Sequence, residues 1–291
     1  MKVKLTSACL VCVSWVACGF NDNRAPQVAT PSFSVNNVLV PLGSPIEATF
    51  RFDVKETLPA LKQDYRVFVH MLDANEELLW TDDHYPLVPT SKWSPGETVE
   101  YQRTIFVPIY PYVGKAIVRL GLYSELDGSR LPLDGEHVGL NEYQVATLQL
   151  LPQSENISLI PKRGWHGLEV AATDASTEWR WTKKRAVLSF QNPKRDLLLY
   201  LDLEGRPKLF EAPQIVTLSI ENKTLAALEL AESGRVLHRV PLSVDDLGDT
   251  ETIDLQIVID KTFTPALLDK GTSFDPRELG VRVFKVAVQQ Q

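Results

Sequence analysis

After Cys18 the chain has no cysteine: all three, Cys9, Cys12 and Cys18, fall in the first 18 of 291 residues. That excludes a disulfide framework and a cysteine nucleophile from the 273 residues that follow. Long apolar runs are also missing. The uncharged stretch Leu5–Ala17 has 13 residues, too few for a spanning helix, and nothing later is long and apolar enough. Lys and Arg number 30 against 37 Asp and Glu, and they are scattered along the chain without a basic stripe. Nucleic-acid binding needs clustered cations and is not expected. There is no Gly-x-Ser-x-Gly elbow, His-Glu-x-x-His pair or Walker loop. A glycosidase needs only two well-separated carboxylates, so that enzyme class stays open as the lesser alternative to a non-catalytic role. No cofactor is expected.

The N-terminus explains the cysteine usage. Lys2 and Lys4 precede the uncharged run, Cys18 and Gly19 close it, and a polar stretch follows. This is the three-part layout of a secretory signal. "WVACGF" resembles the signal end of bacterial lipoproteins, in which a small residue precedes an acylated cysteine. Ala17 fits that position, whereas Trp15 stands where the family usually has Leu. The resemblance implies cleavage after residue 17 and lipid on Cys18. Gly19, in place of Asp, implies the outer membrane of a diderm bacterium. The alternative is an ordinary signal and a periplasmic or secreted protein. Loss of Lys2 and Lys4 leaves 28 basic residues against 37 acidic, a net charge near −9.

Period-two alternation dominates the rest. In "IEATFRFDV", Ile46, Ala48, Phe50, Phe52 and Val54 alternate with Glu47, Thr49, Arg51 and Asp53, which places the apolar side chains on one strand face. "TIDLQIVID" repeats the pattern, and "RVFVHML", "AIVRLGLY", "LLLYLDL", "IVTLSIE" and "VRVFKVAV" are further short strands between turn-forming stretches. No segment keeps a helical period for long; "TPALLDKG" reads as one helical turn. The expected fold is all-β, as two β-sandwich domains. Residues 1–17 are read as signal peptide, 18–30 as lipidated tether and 31–152 as the first sandwich. The polar, proline-containing 153–162 is read as linker, and 163–291 as the second sandwich.

The first half carries "FVH-L-D", then "PTS-W-PGE" and "GLY----G-RLP", including Phe68, His70, Asp73, Trp93, Gly96, Gly121, Tyr123 and Arg130. It resembles an immunoglobulin-like module attached to bacterial membrane glycosyltransferases and other envelope proteins. The second half carries "GWHGLE", "WRWT" and "DPRELG". It resembles a jelly-roll, carbohydrate-binding-like module that accompanies polysaccharide-biosynthesis glycosyltransferases. Nothing in the chain resembles the glycosyltransferase itself. The resemblance implies a glycan-binding or polysaccharide-assembly role, with an envelope protein-interaction module as the alternative.

A jelly roll brings its first and last strands together. Trp165, Trp179 and Trp181 would then form an apolar platform with Arg180, Asp275 and Arg277 at its rim, a chemistry suited to sugars. The competing reading makes the tryptophans core plugs and Asp275–Arg277 an ion pair. In that reading Trp179 and Trp181 face inward and Arg180 points out. Asp82, Asp83 and His84 are adjacent, lack the spacing of a calcium loop, and read as a solvated turn. His70 reads as a hydrogen-bonded structural histidine. Asp245, Asp246, Asp249 and Glu251 read as an exposed acidic loop. No metal site is expected.

Overall fold

The structure, a computed structural model, describes residues 25–268 and 273–290. The expected signal peptide and Cys18 lie outside these residues. The first half contains β1 (Ala29–Val35), β2 (Leu39–Pro41), β3 (Pro45–Val54), β4 (Arg66–Leu72), β5 (Leu78–Thr81), β6 (Thr98–Phe106), β7 (Gly114–Tyr123), β8 (Arg130–Leu131), β9 (Glu136–Gly139) and β10 (Glu142–Leu151). They form one sheet ordered β1-β3-β6 and a second ordered β2-β10-β7-β4-β5, with β8 on β7 and β9 on β10. Ala29 and Thr30, placed in the tether by sequence, pair with Val54 and Asp53. The alternation of β3 becomes burial: Ile46, Ala48, Phe50, Phe52 and Val54 are buried between the sheets.

The second half contains β11 (Ile160–Pro161), β12 (Trp165–Ala171), β13 (Asp174–Thr182), β14 (Arg185–Gln191), β15 (Leu197–Glu204), β16 (Gln214–Ile220), β17 (Lys223–Leu230), β18 (Arg235–Leu242), β19 (Thr252–Ile259) and β20 (Arg282–Gln290). Two five-stranded sheets, β11-β14-β19-β16-β17 and β12-β13-β20-β15-β18, close on a core that includes Leu188, Phe190, Leu199, Leu201, Leu218, Leu255 and Ile257. Ile160 and Pro161, read as linker, pair with Ser189 and Leu188. The expected helical turn falls at Pro265–Leu268, and a second one, Val244–Leu247, follows β18. The fold is all-β in two sandwiches, and no strand pairing among the described residues joins the halves. No helix among them is long and apolar enough to cross a membrane.

The halves meet at one end of the outer face of β12-β13-β20-β15-β18. Arg239 on β18 reaches Glu47 on β3 with both edges of its fork, Nε at 3.1 Å and Nη2 at 3.3 Å, and also donates to the Thr104 hydroxyl. The Phe106 and Tyr200 rings meet edge to face at 6.3 Å. Tyr200 is fully buried, and burial together with the Glu47 charge raises its pKa. The Asn156 amide donates to the Leu42 carbonyl.

The motif of the first half is a packing cluster. The Phe68 ring lies 4.8 Å from the His70 ring and 4.3 Å from the Arg130 guanidinium. Gly121 makes this possible, since a Cβ there would sit 2.4 Å from Phe68 Cζ. His70 Nδ1 is 3.3 Å from Glu142 Oε1, as a structural histidine requires. The "TDDHYP" stretch corrects the sequence reading. His84 is buried, not in a solvated turn, because its backbone pairs with Val67. Its Nδ1 donates to the Asp82 carbonyl at 2.8 Å, which leaves Nε2 to accept from the Tyr101 hydroxyl at 2.8 Å. Asp82 is held by Arg103. Asp246, in the acidic stretch, closes a capping box with Ser243 and pairs with Lys223, which lowers its pKa to about 2. No group of three or more potential metal ligands occurs among the described residues.

Candidate functional site

Alternation along "EWRW" splits β13 between two environments. Trp181 stands opposite Arg282 of β20, and Arg180 stands opposite Val283, a core residue. Cross-strand partners share a face. Arg180 therefore looks toward the opposing sheet, while Trp179 and Trp181 look outward, the reverse of the competing sequence reading.

Facing outward does not leave Trp181 exposed. It is 4% accessible, with the Phe263 ring 5.6 Å away and the guanidiniums of Arg206 and Arg282 at 5.1 and 5.0 Å. Phe263 is brought there by the loop after β19, whose backbone bridges to Leu279. Glu204 ties the two arginines together: each donates Nη1 to one of its carboxylate oxygens. Arg282 also lies 4.3 Å from the Trp179 ring. Burial and the neighbouring Arg206 lower the Arg282 pKa. A bulge between Asp202 and Leu203 in the β15–β20 register shifts the pairing past Phe284, which lies under Arg235 at 4.3 Å. Arg235 is paired in turn with Asp202.

Asp275 and Arg277 also lie on this network. Arg277 donates Nη2 to Asp275 at 2.7 Å and Nη1 to Glu169 at 2.7 Å, and Glu169 accepts the Trp179 indole N–H at 3.2 Å. The hydrogen bonds from Arg277 lower the Asp275 pKa to about 2. Glu169 and Arg277 are 108 residues apart, and sequence reasoning missed that link.

The remaining candidates meet in a cleft. Among the described residues, the hairpin β12–β13 pairs with β20 only at Arg180–Val283 and Trp181–Arg282. Beyond this contact the strands part. A recess of about 140 Å³ opens there, lined by Pro161, Trp165, Leu168, Glu178, Trp179, Arg180, Phe284 and Val286, with the buried Leu188 and Val283 at its apolar base. Trp165 is fixed by its N–H to the Val187 carbonyl at 2.9 Å. Arg180 spends one N–H on the His166 carbonyl at 3.3 Å. Leu168 is 49% exposed at the mouth. The predicted platform of three tryptophans is thus divided. Trp165, Trp179 and Arg180 line the cleft, Trp181 is sealed under arginines, and Asp275 and Arg277 brace the wall through Glu169. Aromatic faces beside a few polar groups are the makings of a site for a ring with one apolar face.

No family model matches this chain. No curated protein matches it either, so the likeness to glycosyltransferase accessory modules rests on the residues quoted above. Solved structures align only loosely. A carbohydrate-binding module of the β-sandwich superfamily is 8% identical over 91% of this chain and 100% of its own, at a TM-score of 0.23. The N-terminal CBM22-1–CBM22-2 tandem domain of Paenibacillus barcinonensis Xyn10C is 12% identical over 89% and 82%, at 0.26. Salmonella alpha-2-macroglobulin is 14% identical over 91% of this chain and 15% of its own, at 0.25. Similarity at this level assigns no family, and the fold stands on the sheets described above.

Proposed function

We propose that this protein is a non-catalytic, lipid-anchored envelope protein that binds a glycan in the cleft between β13 and β20. One observation carries the binding reading: Trp165, Trp179 and Arg180, far apart in chemistry but chosen together from sequence, line one recess with Glu178 at its rim. A sugar ring would lay its C–H face on the indoles and meet Arg180 and Glu178 with its hydroxyls. The test is affinity electrophoresis of the mature protein through gels containing neutral and acidic envelope polysaccharides. Trp179→Ala and Arg180→Ala are each expected to weaken retention by about tenfold, the scale of one stacking or charge-assisted contact. If neither substitution changes retention, the cleft is not the site. The stretch Phe284–Gln290, which has no strand partner on the β13 side among the described residues, then becomes the better surface, as a docking edge for a protein.

The anchoring part of the proposal rests on "WVACGF" and the two lysines before it. Intact mass of the native protein is expected to show a mature N-terminus at Cys18 carrying lipid, and Cys18→Ala is expected to leave the membrane fraction. A native protein without added lipid mass would make it a periplasmic or secreted binder instead.

A further inference from the structure

Two short basic runs, Lys162–Arg163 and Lys183–Arg185, lie twenty positions apart and are inconspicuous in the sequence. The fold sets them side by side. Lys183 N donates to the Gly164 carbonyl at 2.8 Å, Val187 N to the Arg163 carbonyl at 3.0 Å, and Lys162 N to the Val187 carbonyl at 2.9 Å. Gly164 allows this approach with φ of +83° and no side chain against Arg185. Lys162, Arg163, Lys183, Lys184 and Arg185 are all exposed, and none forms an ion pair among the described residues. Asp260 follows Ile259, whose N–H bonds the Lys184 carbonyl, but its carboxylate is taken by Lys261. Glu278, near the same corner through the His166 contact to its carbonyl, holds the Thr262 hydroxyl. Five unneutralised cations thus share one corner of a chain with net charge −7. The expectation of scattered charge does not survive folding.

The corner adjoins the cleft. Pro161 and Trp165, which line it, flank the first basic run, and Arg180 stands three residues before the second. We infer that the glycan is an anionic polysaccharide, its acidic groups held by the Lys162–Arg163 and Lys183–Arg185 corner while one residue occupies the cleft. This rests on the glycan reading above. A nucleic acid would also meet the charge, but the adjoining recess, small and apolar at its base, suits a sugar ring better than a phosphodiester backbone.

The test uses the mature protein with polygalacturonate and its methyl-esterified form, which share a backbone and differ in charge. Binding to the acid form is expected to be at least about tenfold tighter at about 0.15 M salt, and the difference is expected to collapse at about 1 M, where screening lengths fall from ~8 to ~3 Å. K183Q/K184Q/R185Q is expected to bring acid-form affinity down to that of the ester, with an unchanged melting transition to show an intact fold. Equal binding of the two polymers by the wild-type protein overturns the inference and leaves the glycan reading standing. Binding of neither overturns both. Duplex DNA or anionic phospholipid vesicles bound as tightly as polygalacturonate would also overturn it, by showing a surface that selects charge and not sugar.

Discussion

Trp181→Ala is expected to lower the stability of the second sandwich by about 3–5 kcal/mol, the range for truncating a buried large aromatic. Of the candidates chosen from sequence, Trp181 is the one the fold has sealed. Its ring has guanidiniums at 5.1 and 5.0 Å and the Phe263 edge at 5.6 Å. Removing it takes away the stacking surface of Arg206 and Arg282, and Arg282 already has a buried Nε without a partner. Glu204 would then hold Arg206 without its stacking ring, and Arg282 with Trp179 alone. Urea unfolding measures the loss, and the unfolding slope shows whether cooperativity survives. A variant within about 1 kcal/mol of wild type that loses glycan retention would reverse the assignment, making Trp181 a contact residue and not a packing one.

Gly164→Ala is expected to be comparably damaging through the backbone. A Cβ at this position would lie 1.8 Å from the Arg185 carbonyl oxygen and 2.7 Å from Ala186 Cα. Relief has to come from moving main chain, because no flexible side chain is in the way. The left-handed φ costs an alanine about 1–2 kcal/mol, and forced displacement in a packed region about 1–3 more. The variant is therefore expected to lose roughly 2–5 kcal/mol in chemical denaturation and also part of its polygalacturonate affinity, since displacing the loop pulls Lys162 and Arg163 from Lys183. Unchanged stability would show that the two loops are not locked as described.

These two residues mark what was legible in the sequence and what was not. Alternation in "IEATFRFDV" anticipates the burial of β3 because a strand's two faces repeat every two residues. The Asp275–Arg277 pair was legible for a similar reason: two residues apart, they can meet without any knowledge of the fold. Glu169, which completes their clamp, required the fold. Placing Trp179 and Trp181 together and Arg180 apart followed from period two, but which side was outward did not. That depended on the Val283 pairing, and the cover over Trp181 depended on a loop 82 residues downstream at Phe263. His84 sat among polar neighbours and read as solvated, yet a bridge to Val67 carries it inside. The basic corner was hidden because each run is too short to signal alone, and only backbone hydrogen bonds around Gly164 join them.

The fork between Arg239 and Glu47 has a geometric consequence for whatever the second sandwich holds. Tyr200 and Arg239 lie under the first sandwich, whereas Trp179, Arg282 and Phe284 occupy the other end of the same sheet. A stiff, extended polymer running parallel to β15 would reach Phe106 and stop. In the binding mode proposed above, long chains would therefore traverse the strands at an angle, entering from the β12 side, or present a terminus. Under the glycan-binding proposal, a wall of this kind would sort polymers by direction of approach before any individual contact is made.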